Sequence, residues 1–179
     1  MDKLKPTHDE AFEQIMRSYG TRVLRLVIFL VKDRSLAEDI TQDVFVKVYR
    51  NLPRFRGDSN IQTWLYRIVV NECKGYWRSW SFRNILPQSW IKGGAEHSTE
   101  SAVLEQADRD QLVQQVMLLP KLYRQVIALH YYADLSIAEI AEILGASEGT
   151  VRTRLYRARQ QLKQQMAGEE EWEWTRTNG

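Results

Sequence analysis

The chain has 179 residues, of which 44% are hydrophobic and 27% charged, a composition typical of a globular protein with one domain or two small ones. Its formal net charge is only +2, which excludes a polycation, so a nucleic-acid surface must come from local clustering of basic side chains. A single cysteine excludes an internal disulfide, and with only 3 histidines beside it no metal site is expected.

The N-terminal residues are polar and show no signal-peptide pattern. The most apolar run, 23–31, is too short and too interrupted to span a bilayer. The lone Cys73 fits a reducing compartment. These observations predict a cytoplasmic protein.

Apolar residues recur with helical spacing along the first part of the chain, and no strand pattern is evident. Helices are predicted over 7–31 and 35–51, and a third follows an S-x-x-Q capping box at 59–62. Together they predict a first helical domain, 1–80. Residues 81–99 contain a proline, a Gly-Gly pair and scattered polar residues, which predicts a flexible linker.

A second helical domain is predicted over 100–167, followed by a flexible tail, 168–179. Pro120 favours the first turn of a new helix. An S-x-x-E capping box starts the next helix, Gly145 ends it, and Ser147 caps the last one. The predicted fold class is therefore all-α: two small helical domains on a linker, the C-terminal one a helix-turn-helix.

The last helix separates apolar from basic side chains. Its apolar residues recur at i, i+4, i+7 and i+11, and helical angles place Thr153, Tyr156 and Arg157 on the opposite side. An exposed face of this kind suits the major groove, where arginine pairs with guanine, whereas Gly149 and Thr150 offer backbone N–H groups to a phosphate. The alternative is a solvated basic face. The candidate DNA-binding residues are Gly149, Thr150, Arg152, Thr153, Arg154, Tyr156, Arg157 and Arg159.

A second basic stripe lies on the third predicted helix. It consists of Arg67, Asn71, Lys74 and Arg78. Aromatic residues, among them Trp77, lie between these positions, and basic groups combined with stacking rings suit single-stranded nucleic acid. The alternative is that the rings belong to the core or cover a domain edge. This alternative is preferred for Trp64 and stays open for Trp77 and the stripe.

The second predicted helix has an acidic outward face. Asp39 and Asp43 lie there with an exposed Val46, which favours a protein-binding surface, although a solvated amphipathic face explains the pattern equally well. The two carboxylates have no supporting histidine or third carboxylate. An enzymatic site is therefore not predicted, and no catalytic residue is assigned.

These residues together resemble the extracytoplasmic-function (ECF) sigma factors, small bacterial initiation factors of RNA polymerase. The resemblance covers about 11–163. It rests on "AEDITQDVFVKVYRNLPRFRG", "TWLYRIVVNECKGYWR" and "LPKLYRQVIALHYYADLSIAEIAEILGASEGTVRTRLYRARQQL", which occur in this order.

The resemblance implies a role for each part of the chain. Residues 1–80 would bind polymerase and the promoter minus-ten element, and 100–167 the minus-35 element. The residues implied to dock on the clamp coiled coil of the polymerase β′ subunit are Asp39, Gln42 and Asp43. Minus-ten contacts fall to Phe55, Arg56, Asp58, Ser59, Asn60, Arg67, Asn71, Lys74, Trp77 and Arg78, with 55–60 capturing a flipped-out base. The residues implied to contact bases of the minus-35 element are Arg152, Thr153, Tyr156 and Arg157. Those implied to contact its phosphates are Arg154 and Arg159.

The partners implied are core RNA polymerase, through its β′ and β subunits, promoter DNA and an anti-sigma factor. The anti-sigma factor is expected to be membrane-anchored and would hold the protein at the inner face of the membrane. Neither a cofactor nor a small-molecule substrate is expected. The rival hypothesis is an autonomous helix-turn-helix regulator, which would bind duplex DNA tightly without polymerase.

Overall fold

The computed structural model of the chain describes the backbone of residues 7–57, 59–81 and 111–177, and the side chains of these residues except at 79–81 and 168–177. Nearly all of the predicted linker, including Trp90 and Ile91, lies outside the described residues, as does Asp58.

Every regular element in the described part of the chain is helical, which confirms the predicted all-α class. The elements in order are α1 (His8–Val31), α2 (Arg34–Asn51), a 3-10 turn (Leu52–Arg54), α3 (Ile61–Ser81), α4 (described over 111–118), α5 (Lys121–Ile127), a π-helical turn (Ala128–Tyr132), α6 (Ile137–Leu144) and α7 (Glu148–Thr177).

The first domain is a bundle of α1, α2 and α3. Each helix turns an apolar stripe inward because its hydrophobic residues recur every three or four positions. The fully buried side chains include Leu26 and Leu30 of α1, Val44 of α2 and Leu65 and Tyr66 of α3.

Shortening Leu65 to alanine should destabilise this bundle. The side chain is completely buried, so truncation removes apolar contacts and leaves a cavity that the neighbours fill only in part. We expect the free energy of unfolding, measured by urea titration, to fall by about 2–5 kcal/mol. The control Val46→Ala, at a side chain that is 47% exposed, should change it by less than about 0.5 kcal/mol.

The second domain packs α5, α6 and α7 around a small core. Ile140 of α6 belongs to the same buried hydrophobic cluster as Val151 and Leu155 of α7. Gly145 ends α6 with φ of 66°, in the left-handed region that favours glycine, and this sharp reversal creates the predicted helix-turn-helix.

The start of α6 carries the predicted capping box. Ser136 Oγ accepts the Glu139 N–H at 3.3 Å, and the Glu139 carboxylate accepts the Ser136 N–H at 2.9 Å and its hydroxyl at 2.7 Å. Thr63 of α3 also donates to Glu139. The Ser136 hydroxyl and amide bonds, and then the Thr63 bond, lower the pKa of Glu139 below its usual 4.5 because they favour the ionised form.

The Glu139 carboxylate should make the free energy of unfolding depend on pH in the acid range. Because the folded pKa is the lower one, the ionised form contributes stability above about pH 4.5 that is lost as the pH falls through the lowered pKa. Glu139→Gln should reduce the free energy of unfolding by about 1 kcal/mol at pH 7, and the difference from the wild type should shrink toward pH 3.5. Urea titrations at both pH values test this. Glu13→Gln, at an exposed surface position, should show no such convergence.

The predicted capping box of α3 is wrong. The helix begins at Ile61, and the side chain of Asn60, not Ser59, accepts the Gln62 N–H at 3.1 Å. The Gln62 side chain does not return to the cap; it donates to the carbonyl of Ala133 in the second domain. Asparagine is as good a cap as serine, so Asn60 can take the place of Ser59.

The end predicted for the last helix, near Met166, is also wrong. The backbone of α7 is helical to Thr177 and therefore includes most of the predicted flexible tail. The prediction followed the apolar stripe, which stops there. Glutamate has a high helix propensity, and propagating an existing helix costs far less than starting one, so an apolar stripe is not required.

Candidate nucleic-acid and protein interfaces

The outward face of α7 is the best-formed candidate surface for duplex DNA. Val151, Leu155 and Ala158 are buried against the second domain. Tyr156 is 63% exposed and Arg157 is exposed beside it. The helix therefore points the predicted base-reading side chains away from its own core, where a groove can reach them.

Several polar groups in the first turn of α7 already have hydrogen-bond partners within the chain. The Thr150 N–H, which is predicted from the sequence to bind a phosphate, donates instead to Oγ of Ser147, the predicted N-cap, at 3.1 Å. Arg152 donates to Glu148 one turn earlier at 2.7 Å. The Thr153 hydroxyl donates to the carbonyl of Gly149 at 2.9 Å, so its hydrogen is engaged within the helix. A threonine methyl suits contact with the methyl group of thymine.

Arg159 is held in place by a residue that the sequence analysis did not single out. Its Nε donates to the Tyr131 hydroxyl at 2.7 Å, and its guanidinium lies 5.6 Å from the centre of the Tyr131 ring. Tyr131 belongs to the π-helical turn and is 60% exposed. The bond fixes the direction of Arg159, whereas Arg154 is half-exposed on the other side of the helix.

The basic stripe of α3 does not lie open along its whole length. Asn71 and Arg78 are exposed, and Arg67 and Lys74 are half-buried. Arg67 is paired with Glu142, and Lys74 donates to the carbonyl of Leu144 at 3.3 Å, both in the second domain. Trp77 is half-buried beneath Lys121, whose Nζ lies 3.3 Å from the ring centre. The structure therefore brings the stripe together with residues of the helix-turn-helix domain.

The loop between α2 and α3 carries the remaining minus-ten candidates. Phe55 packs on Trp64 with ring centres 5.0 Å apart, which supports the preferred structural role of Trp64. Gly57 has φ of 78° and turns the chain there. Arg56 and Asn60 are exposed and Ser59 is half-exposed, but the Asn60 side chain already caps α3.

The outward face of α2 presents Asp39, Gln42 and Asp43, all exposed. Val46 completes the same face and is 47% exposed. The opposite side of the helix is apolar and buried. One apolar side chain therefore lies beside exposed carboxylates, which fits both the predicted protein-binding face and the alternative of a solvated amphipathic face.

Among the described residues, no group of three or more histidine, cysteine, aspartate or glutamate side chains could hold a metal ion. In the same part of the chain, no helix has the length and continuous apolar character needed to cross a membrane.

Two family descriptions match the chain. Residues 15–82 match sigma-70 region 2, and residues 109–162 match sigma-70 region 4. The first match contains the α2 face and the α3 stripe, and the second contains the helix-turn-helix.

Curated relatives match nearly the whole chain. The ECF RNA polymerase sigma-E factor of Escherichia coli is 33% identical over 172 residues, covering 90% of each protein. The ECF sigma factor SigW of Bacillus subtilis is 31% identical, covering 92% of this chain and 93% of the relative. The sigma-H factor of Pseudomonas aeruginosa is 30% identical, covering 90% and 89%.

Solved structures have the same fold. The sigma factor RpoE of Bartonella quintana, in complex with the anti-sigma factor NepR, superposes with a TM-score of 0.75 at 23% identity, covering 88% of this chain and 97% of that one. CnrH, in complex with the cytosolic domain of CnrY, gives 0.64 at 24% identity, covering 89% and 90%. With the relatives of higher identity, these likenesses establish that the chain belongs to the ECF sigma factors of RNA polymerase.

Proposed function

We propose that this sigma factor binds polymerase and the two promoter elements through three separate surfaces. The acidic face of α2 docks on the clamp coiled coil of the polymerase β′ subunit. The exposed face of α7 reads the duplex minus-35 element, and α3 with the loop at 55–60 holds the unpaired minus-ten element. The observation that carries this proposal is that α7 buries Val151, Leu155 and Ala158 on one side and exposes Tyr156 and Arg157 on the other.

Each DNA contact is expected to be weak in isolation. Bound to polymerase, the two DNA-binding domains are tethered to one body, and the second contact becomes effectively intramolecular. Avidity of this kind explains how a helix with few base-reading side chains selects a promoter. It also distinguishes the protein from an autonomous regulator, which must bind tightly alone.

The chemistry of transcription belongs to the polymerase in this proposal, so the chain itself supplies no catalytic group. Control by an anti-sigma factor is supported by the fold, since the similar RpoE and CnrH structures were solved with NepR and CnrY. We place the protein in the cytoplasm, held at the inner face of the membrane when its anti-sigma factor is anchored there.

Run-off transcription with purified chain and core polymerase on genomic fragments, followed by sequencing of the start sites, tests the proposal. The expected result is a set of starts that share minus-ten and minus-35 elements and that require the chain. A gel shift on the same fragments without polymerase should show little binding. Tight binding there, with no new starts, would support the autonomous regulator instead.

A further inference from the structure

A hydrogen bond joins the π-helical turn to the exposed side of α7. Arg159 Nε donates to the Tyr131 hydroxyl at 2.7 Å, and the guanidinium lies 5.6 Å from the ring centre. Both side chains are exposed, Tyr131 to 60%, so the bond is made at the surface. A bond between exposed groups contributes little to stability, because water competes for both partners. Its main consequence is the direction that it gives to the arginine.

The backbone of the π-helical turn directs Tyr131 toward α7. The Ala133 N–H donates to the Ala128 carbonyl at 3.0 Å, a π-type bond that inserts an extra residue into the helical turn. Neighbouring side chains then contact different parts of the molecule. Tyr132 packs on Phe29 of α1, with ring centres 5.5 Å apart, whereas Tyr131 contacts α7. Single π-helical turns of this kind occur frequently at functional sites.

The Tyr131 ring also contacts the imidazole of His130. The two ring centres are 4.8 Å apart, with the ring planes at 71°. His130 Nδ1 donates to the carbonyl of Leu135 at 2.9 Å, which ties the imidazole to the segment that leads into α6. A tyrosine side chain has only two torsion angles, and contacts with His130 and Arg159 restrict both. The hydroxyl group is therefore held in place before any ligand arrives.

The pair has unused hydrogen-bond donors. The Tyr131 oxygen accepts from Arg159, so its own hydrogen remains available to donate. Arg159 uses only its Nε–H in this bond, and the N–H groups of its two terminal nitrogens remain. Within the part of the chain that the structure describes, neither side chain donates to any other residue, and no carboxylate pairs with Arg159. The remaining donors therefore suit an acceptor outside the chain.

These donors lie beside the base-reading positions of α7. Arg159 follows Tyr156 by three residues, so the two side chains are neighbours on the helix surface. A helix in the major groove is bordered by backbone phosphates, and tyrosine and arginine are among the side chains that bind them. A phosphate that accepts from the hydroxyl and from the guanidinium at once would form charge-assisted bonds, which are shorter and stronger than neutral ones.

We propose that Tyr131 and Arg159 form a composite clamp on one backbone phosphate of the minus-35 duplex, in which Tyr131 both binds the phosphate and positions the arginine. This inference rests on the proposed minus-35 role of α7, and it adds a DNA contact from outside that helix. Phosphate contacts fix the register of a protein on the duplex but carry no sequence information. The clamp therefore sets where α7 lies in the groove and leaves discrimination between bases to residues such as Arg157.

Duplexes in which single minus-35 phosphates are replaced by uncharged methylphosphonate test the clamp. Holoenzyme formed at saturating core polymerase is titrated with each duplex. We expect one position to weaken binding of the wild type about tenfold and to have no effect on Arg159→Ala, which identifies the phosphate that Arg159 holds. Tyr131→Phe keeps the ring and removes the hydroxyl. It should weaken binding of the unmodified duplex about three- to tenfold and reduce the effect of methylphosphonate at that same position to about threefold.

Tyr49→Phe is the matched control. It removes a tyrosine hydroxyl that is also hydrogen-bonded at the surface, to Asp9 at 3.0 Å, but in the first domain. Affinity for every duplex should stay within about twofold of the wild type.

The dependence on salt and on sequence gives a second reading. Tyr131→Phe should leave the slope of log affinity against log salt concentration nearly unchanged, because the hydroxyl carries no charge, whereas Arg159→Ala should lower it by about one. Both variants should keep the ratio of affinities for matched and mutated minus-35 sequences, since neither removes a base contact.

Two results would overturn the inference. One is wild-type affinity in Tyr131→Phe. The other is a loss of affinity that leaves the phosphate of Arg159 as sensitive to methylphosphonate as in the wild type, because the hydroxyl would then act through the fold alone. The proposed function is read from the wild type. If wild-type holoenzyme binds matched and mutated duplex equally, α7 does not read the minus-35 element, whereas discrimination without any effect of Tyr131→Phe removes the clamp alone.

Discussion

Replacing Asp39 and Asp43 by lysine should remove most of the affinity of the chain for core RNA polymerase. Both carboxylates are exposed on one face of α2, beside the exposed Val46. A partner surface that pairs with carboxylates is expected to carry positive charge. Like charges brought together across an interface cost several kcal/mol. We expect Asp43→Lys to weaken binding about tenfold and the double variant about 100-fold, measured by fluorescence anisotropy of labelled chain titrated with core polymerase.

The control for this experiment is Glu13→Lys, which makes the same change of charge on the exposed surface of α1. It should leave the affinity within about twofold of the wild type, since surface charges away from a contact mainly alter long-range steering. Equal losses in Asp43→Lys and Glu13→Lys would mean that net charge, and not the α2 face, governs the interaction.

The sequence predicted best what depends on local periodicity. The buried stripes of α1, α2 and α7 follow the spacing of their apolar residues, and the Ser136 and Ser147 caps and the Gly145 turn lie where the prediction put them. These features succeed because each is decided within four residues of chain.

Contacts between distant parts of the chain could not be predicted in the same way. Nothing local shows that Thr63 donates to Glu139, 76 residues further on, or that Arg124 reaches the end of α1. The same limit explains Tyr131, whose bond to Arg159 crosses 28 residues. Burial of a polar residue such as Thr63 implies a hydrogen-bond partner, but that burial is visible only once the chain is folded.

The two candidate DNA surfaces differ in exposure. On α7, Tyr156 and Arg157 are exposed. On the α3 stripe, Arg67 and Lys74 contact the second domain, whereas the other two stripe residues are exposed.

Arg157→Ala should weaken minus-35 recognition without affecting the affinity for polymerase. The side chain is exposed on α7 opposite the buried Leu155, and an arginine paired with guanine contributes about 1–3 kcal/mol of discrimination. Holoenzyme containing the variant should therefore bind promoter duplex about 5- to 150-fold less tightly. Competition with a duplex mutated in the minus-35 element should show that the variant no longer distinguishes the two sequences.

Lys163→Ala is the matched control, because Lys163 is an exposed cation on the same helix outside the base-reading positions. Losing a phosphate contact weakens binding equally for all sequences and lowers the slope of log affinity against log salt concentration by about one. Losing a base contact instead reduces the discrimination between matched and mutated sequences. Arg157→Ala should therefore differ from Lys163→Ala in the ratio of affinities for matched and mutated duplex. If the two variants give the same ratio and the same salt slope, Arg157 holds the backbone, and base reading must lie with Tyr156 and Thr153.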